Sequence, residues 1–489
     1  MKFRYKTILL SLFCFTFSLQ AQITSYLEWS EPIAIADESY DNLGPQIVVA
    51  ENDNSVVLWA NQSTKKYYTT TWNGTHFNEP TELNTNGITP FVSSIEGATM
   101  AAFDNNVYIA WGAQTTSQGI FVNRSTDGGN TFEPPVQITP EAGRYFSLLT
   151  VSINETGNPM VSYISTTTTW LDAQYYITNS ADGGQTYEMA VQANSDVAGG
   201  LVCECCPATV IANEEMQVLM FRNNNSNIRD IWASKSIDNG LSFGQAADID
   251  DTDWQIFGCP STGPDGVFSH DELVSVSASE GNGAMQIYMS RVNAESLELI
   301  EQKAVSVGLN QNYPHIAGED DNMAIVWQEN NGGDIDVYMT WTATGATALA
   351  QNIEIVASGE GGQKFPDITY ANDIFYIVYE DVLTNKTMYR TAKVFKFGNV
   401  GVEEEAENDL FLQISPNPTS DVLQINFSET AKNDIGNIKI WNANGSLWLE
   451  ENDILLENKN LTISHFPKAL YFLAIEKNEK TYIRKFIVE

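Results

Sequence analysis

Basic residues, cysteines and long apolar runs are all scarce in this chain, and each shortage excludes something. Only 25 of 489 residues are Lys or Arg, against 62 Asp or Glu, for a formal net charge of −37. A surface this negative repels nucleic acid and anionic lipid, so neither is expected as a partner. Past the first 21 residues no stretch reaches the ~18 apolar residues of a membrane helix, so the mature chain holds no stable transmembrane segment. Phosphate-binding glycine loops, zinc-protease helix motifs and serine elbows are missing, which removes the usual footholds for those enzyme classes. Of five cysteines, Cys14 falls in the apolar start of the chain. The other four, Cys203, Cys205, Cys206 and Cys259, cluster in one region, which points to one local device and not to a disulfide framework.

What is present begins with an export signal. Lys2, Arg4 and Lys6 precede an apolar run from Ile8 to Leu19, and Leu19-Gln20-Ala21 offers a small residue for cleavage. Residues 1–21 therefore read as a signal peptide, and its removal takes the charge to −40. The acidic surface attracts cations. Calcium is one candidate, at Asp248–Asp253, although that run lacks the glycine and terminal glutamate of a helix-loop-helix calcium loop.

A repeat organises most of the chain. Ser125-Thr-Asp127-Gly-Gly-Asn-Thr-Phe132, Ser180-Ala-Asp182-Gly-Gly-Gln-Thr-Tyr187 and Ser236-Ile-Asp238-Asn-Gly-Leu-Ser-Phe243 share one pattern, with their Asp residues 55 and 56 apart. Each copy suits a tight hairpin: the carboxylate accepts backbone N–H bonds, and Gly supplies positive φ. Asp127, Asp182 and Asp238 thus read as structural. Seven short β-branched and aromatic runs recur at Ser55–Ala60, Asn106–Trp111, Pro159–Ile164, Gln217–Phe221, Leu273–Ala278, Met323–Trp327 and Phe375–Tyr379. Most follow a small or proline-led strand, assigned to Pro45–Ala50, Thr89–Ser94, Phe146–Val151, Pro207–Ile211, Pro314–Ala317 and Pro366–Tyr370. The fifth repeat is the least regular, since Asp265–Asp271 interrupts the expected hairpin.

Four strands per repeat describe a propeller blade, and such a sheet hides both faces only by stacking on its neighbours. The fold class is therefore all-β: a seven-bladed β-propeller, with six blades and one irregular insertion as the alternative, followed by a small β-sandwich. The segment Trp29–Ala36 resembles the strand after each turn and is expected to complete the last blade. The propeller is assigned to 22–400, an acidic linker to 401–410, and the sandwich to 411–489.

The Ser-x-Asp-x-Gly-x-Thr/Ser-aromatic turns resemble the Asp boxes (BNR repeats) of sialidase-like β-propellers. In that family they lie on the outer side of the blades. The C-terminal module, with Ser415-Pro416-Asn417-Pro418, Ile438-Lys-Ile-Trp441-Asn-Ala-Asn-Gly445, Leu470-Tyr-Phe-Leu-Ala474 and Lys485-Phe-Ile487, is similar to the type A sorting domain of the type IX secretion system. That resemblance implies the type IX machinery as a partner, and release or outer-surface attachment as the destination. The set Cys203-x-Cys205-Cys206-Pro207, Phe221-Arg222 through Arg229-Asp230-Ile231-Trp232, and Gly258-Cys259-Pro260 resembles a sialidase-like subgroup that implies no activity.

The sialidase resemblance can be tested against residues. Gripping a sugar carboxylate calls for a cluster of arginines. The mature chain has seven: Arg124, Arg144, Arg222, Arg229, Arg291, Arg390 and Arg484. Arg144, Arg222, Arg229 and Arg291 are the possible cluster, but Leu43-Gly44-Pro45 stands where sialidases carry Arg-Ile-Pro, so their arginine triad cannot be assigned. Arg222, Asn223, Arg229 and Asp230 form a polar hairpin suited to ligand contact, or equally an exposed loop with a local ion pair. The four cysteines read as one or two disulfides stapling the fourth blade to the fifth. Alternatively they form a copper or zinc site, with His315 as a further ligand. The leading expectation is a secreted or surface-attached propeller binding a glycan or another extracellular polymer, without a complete catalytic set. The alternatives are a glycan hydrolase with a non-standard site and a metal-binding protein.

Overall fold

The computed structural model describes residues 25–35, 42–139, 143–194, 201–308, 310–330, 332–350, 352–396, 412–427, 434–442, 447–477 and 480–488. The signal peptide and the linker 401–410 lie outside the described residues. The chain divides into a large unit, Leu27–Val394, and a small one that contains the C-terminal module.

Among the described residues, seven antiparallel sheets build the large unit, at residues 42–82, 99–137, 144–192, 209–248, 265–304, 311–357 and 363–396. The first six are four-stranded, with sequential strands as neighbours. The seventh has three strands of its own and takes Ser25–Trp29 and Ile33–Ala34 against Lys386–Lys396. Successive inner strands touch in order, and the last, Gln363–Ala371, touches the first, Asn42–Ala50. The sheets therefore close into a ring, the propeller expected from the repeat. All seven apolar runs occupy the second strand of a sheet. There Val56, Val57, Leu58 and Ala60 are fully buried, and so are Val107 through Trp111, because a neighbouring sheet covers each face.

Two expectations need correction. The inner strand of the second sheet is Thr99–Phe103 and not Thr89–Ser94. The earlier segment doubles back instead: at Gly97 an added Cβ would stand 2.4 Å from the Ser93 carbonyl, so only glycine fits. Asp265, read as part of an interruption, opens the regular inner strand Asp265–Ser269, and the turn follows at His270 with φ 51°.

Side chains stitch each sheet to the next. Thr99 Oγ1 accepts from Val151 N–H (2.9 Å), Asp265 Oδ2 from Ile316 N–H (3.1 Å) and Asp367 Oδ2 from Ile47 N–H (2.8 Å). Thr150 and Thr209 donate to the Ala208 and Pro264 carbonyls (2.5 and 2.9 Å). Tyr67 donates to Phe91 O at 2.7 Å, and Gln328 accepts from Phe365 N–H at 3.0 Å. These bonds give side-chain partners to backbone groups of the inner strands and of the segments that lead into them.

The three Asp turns share one geometry. Asp182 Oδ1 accepts from Thr186 N–H (2.9 Å) and Oδ2 from Thr186 Oγ1 (2.7 Å), while Ser180 Oγ caps Gly184 N–H (2.8 Å). Asp127 and Asp238 repeat these bonds with Thr131 and Ser242. The backbone and hydroxyl bonds from Thr186 hold the Asp182 carboxyl down at about 2. A carboxyl depressed on folding stabilises above its unfolded pKa and loses that contribution as pH falls through the folded one. Asp182→Asn is therefore expected to flatten the decline of the unfolding temperature between about pH 4 and pH 2. Thermal scans across that window check it.

The small module pairs Leu412–Ser415, Val422–Phe427 and Lys459–Thr462 in one sheet and four strands between Ile435 and Ile487 in another. Leu423, Ile425, Ile438, Ile440, Leu473 and Phe486 fill the space between them, which makes a small sandwich.

Candidate functional site

The inner strands enclose a cavity of about 420 Å³ on the ring axis. This lies within the size range of small-ligand pockets, ~300–1,000 Å³. His315 stands on its wall with Nδ1 3.4 Å from Asp265 Oδ2 and 3.7 Å from Asp367 Oδ1. The three residues come from the inner strands of the sixth, fifth and seventh sheets. Burial pushes the Asp367 carboxyl up to about 6, with His315 and the Ile47 N–H pulling the other way. Burial lowers the imidazole pKa, but the Asp265 hydrogen bond and the two carboxylate charges outweigh it and leave His315 raised. Near neutral pH Asp367 and His315 are therefore poised to hold or move a proton inside the cavity.

Tyr313 and Phe365 add an aromatic pair at 4.8 Å, and Tyr370 also faces the cavity. Glu96, raised by burial, joins the lining. Glu380, on the second strand of the seventh sheet, accepts from Gly44 N–H (2.7 Å) and Ser94 Oγ (2.6 Å). Among the described lining residues there is no lysine or arginine.

The candidate arginines lie elsewhere. Arg144 binds Ser165 and Asp172 at the end of the third sheet's second strand. Arg291 is forked onto Glu272 at 2.6 and 2.8 Å and reaches Glu301 at 3.2 Å, which makes it an ion pair within the fifth sheet. Arg222 is wholly buried, donating to the carbonyls of Thr262, Arg229 and Ala278 at 3.3, 2.5 and 2.8 Å and lying 5.1 Å above the Trp254 ring. The tip of the hairpin 223–230, Asn225 and Ser226, is exposed, but its base is not: Asn223, Arg229 and Asp230 are buried where residues 254–256 cross it. Arg229 N–H donates to Trp254 O, and Trp254 N–H donates to Asp230 Oδ1. Asn223 Oδ1 caps Asp230 N–H, and burial raises the Asp230 carboxyl to about 7. Arg222 and Asp230 thus brace the joint between the fourth and fifth sheets, Asn223 holds the hairpin itself, and Arg229 Nη1 stands 3.5 Å from Glu204.

The cysteines crown that joint. Cys205 and Cys259 are bonded, tying the segment before the fourth inner strand to the one before the fifth. Cys203 and Cys206 are free and buried. The sulfurs of Cys203, Cys205 and Cys206 lie within 4.8 Å of one another. His315, expected as their co-ligand, faces Asp265 and Asp367 instead.

Residues 413–489 match the family of secretion system C-terminal sorting domains. The protein is secreted and destined for the outer cell surface. No helix among the described residues is long and apolar enough to cross a membrane. No curated protein matches the sequence. Several solved structures are similar. A protein of unknown function from Dyadobacter fermentans aligns at 13% identity and TM-score 0.45, covering 64% of this chain and 98% of its own. A Trypanosoma rangeli sialidase with the inhibitor DANA aligns at 11% and 0.42, covering 91% and 84%. An α-L-arabinofuranosidase from Fusarium graminearum with an iminosugar inhibitor aligns at 13% and 0.42, covering 61% and 92%.

The sorting module has its own sheets and core, separate from the cavity-bearing unit. The acids of the cavity escaped the reading of the sequence, yet a signal for them exists. Pro264-Asp265, Pro314-His315 and Pro366-Asp367 place a polar residue after proline at intervals of 50 and 52. Pro264 directly precedes its inner strand, while Pro314 and Pro366 fall inside theirs, where the register shifts, and the residue after each proline lines the cavity.

Proposed function

We propose that the exported propeller binds a neutral glycan in its central cavity. The observation that carries this reading is the lining: carboxylates, one histidine and aromatic rings, with no lysine or arginine among the described residues. Such a wall repels carboxylated or phosphorylated ligands, which need cationic donors. It suits a ligand rich in hydroxyls, whose O–H groups donate to Asp265, Asp367 and Glu96 while its C–H faces lie on Tyr313 and Phe365. Asp265 and Asp367 also stitch the ring through Oδ2, so the test must spare that bond. Asp367→Asn keeps the acceptor oxygen for Ile47 and removes the charge.

Tyrosine and tryptophan fluorescence titrations with neutral and sialylated oligosaccharides check the proposal. Saturable binding is expected for neutral glycans only. Affinity is expected to fall as pH drops through about 6, where Asp367 takes up a proton and loses acceptor capacity. In Asp367→Asn that pH step is expected to vanish, and His315→Ala is expected to weaken binding about tenfold or more. Saturable binding of sialylated ligands alone, or of nothing, overturns the reading.

A further inference from the structure

Near the joint of the fourth and fifth sheets, four cysteines form a set that glycan binding does not use. Cys203 Sγ lies 2.6 Å from Cys206 Sγ and 3.7 Å from Cys205 Sγ, and Cys205 is bonded to Cys259. Cys203 is thus the middle sulfur, against a thiol on one side and a disulfide on the other. Its approach to Cys206 is well inside the distance at which unbonded heavy atoms rest. The two ends of the set differ in access: Cys203 and Cys206 are fully buried, whereas Cys259 is exposed.

We propose that these four cysteines form a thiol–disulfide exchange site, in which Cys203 moves the bridge between a surface form, Cys205–Cys259, and a buried form, Cys203–Cys206. In the first step the Cys203 thiolate attacks Cys205 Sγ. The Cys203–Cys205 bond forms, the Cys205–Cys259 bond breaks, and Cys259 leaves as a thiolate. In the second step Cys206 attacks Cys203 Sγ. The Cys203–Cys206 bond forms, the Cys203–Cys205 bond breaks, and Cys205 leaves. The protons given up by Cys203 and Cys206 end on Cys259 and Cys205, so the isomerisation consumes no outside oxidant or reductant. Its product is a dithiol whose Cys259 reaches solvent and can exchange with a small-molecule disulfide, which the buried pair cannot reach.

The surroundings favour Cys203 as the nucleophile. The hydrogen bond from Cys206 holds its thiol down at about 7 despite burial, helped by the Cys205 backbone and the charges of Arg229 and Arg222. Burial and the Cys203 charge push Cys206 well up, so that thiol keeps its proton until Cys203 has reacted. Arg229 Nε is buried with no hydrogen-bond partner among the described residues, while its Nη1 stands 3.5 Å from Glu204. Tyr175, the remaining titratable neighbour, donates its hydroxyl to the Cys206 carbonyl.

The test uses the full mature chain, purified anaerobically without reductant so that the Cys205–Cys259 bond and two free thiols are retained. It is then labelled natively with iodoacetamide and mapped by peptide mass. Label is expected on Cys259 together with a Cys203–Cys206 bridge. Cys203→Ser is expected to slow Cys259 labelling at least about tenfold. Cys206→Ser is expected to stop after the first step, with Cys259 labelled and Cys203 bonded to Cys205, which keeps the test decisive if Cys203→Ser misfolds. Labelling confined to Cys203 and Cys206, equal Cys259 labelling in Cys203→Ser, or a stoichiometric metal ion on the thiols overturns the proposal.

Discussion

A mature chain lacking residues 22–35 is expected to lose its cooperative fold and to aggregate. The deleted segment supplies the outer strands of the seventh sheet, so its loss leaves the eleven-residue strand Lys386–Lys396 as a bare edge. Ile35 is buried among Ile47, Trp59, Tyr376 and Val378, and Ile33 packs on the same cluster. Leu27 and Trp29 pack where the sixth sheet meets the seventh, and Arg390 lies 4.5 Å above the Trp29 ring. At ~1.5–3 kcal/mol for each fully covered side chain, and less for the partly covered ones, these four contribute about 4–8 kcal/mol. Ordering the strand's own backbone offsets part of that gain. The cover taken from the first and seventh sheets is not offset, and it falls at the joint where the first sheet of the ring meets the last. A native domain holds only ~5–15 kcal/mol in all, so the loss is large against the whole. Far-ultraviolet circular dichroism during a denaturant titration checks this, and a synthetic peptide of residues 22–36 is expected to restore part of the transition. A deletion variant with an unchanged midpoint would show that the ring closes without this strand.

Much of this architecture is visible in the residues, because a blade is a local object. Ser180-Ala-Asp182-Gly-Gly announces its turn through Asp acceptors and positive-φ glycines, with Gly183 at 70° and Gly184 at 82°. Apolar runs such as Val56–Ala60 announce a strand covered on both faces. The ends of inner strands are harder to place. Thr89–Ser94 has the composition of a strand, but its backbone turns at Ser93 to meet Gly97, a contact no local pattern encodes. The site is hardest of all, because Asp265, His315 and Asp367 belong to three repeats and meet only once the ring is closed. The need of a carboxylate grip for guanidinium groups drew attention to Arg144, Arg222, Arg229 and Arg291. Their contacts are structural instead: Arg291 is consumed by Glu272 and Glu301, and Arg222 by three carbonyls.

That cost yields the second large effect: Arg222→Leu is expected to destabilise the propeller by about 3–5 kcal/mol. The guanidinium collects carbonyls from three separate segments: Arg229 on its own hairpin, Thr262 on the connection to the fifth sheet, and Ala278 in that sheet's second strand. Leucine fills part of the volume but donates nothing, and each buried acceptor left without a donor costs ~1–3 kcal/mol. Removing the charge gives back some desolvation energy, so the penalty stays below the sum of three lost bonds. Arg222→Lys separates charge from shape. It keeps the cation but has neither the planar fork for three diverging acceptors nor the flat face over Trp254, so it is expected to recover less than half of the loss. Guanidinium denaturation midpoints for the three proteins check the ranking under oxidising conditions, where the Cys205–Cys259 bond spans the same joint. If Arg222→Leu unfolds within about 1 kcal/mol of the parent, the bond and not the arginine holds the fourth sheet to the fifth. Reducing that bond should then produce the missing loss. If the arginine carries the joint, reduction should instead add its own increment to an already weakened protein, since the two devices restrain different parts of the connection from residue 249 to residue 264.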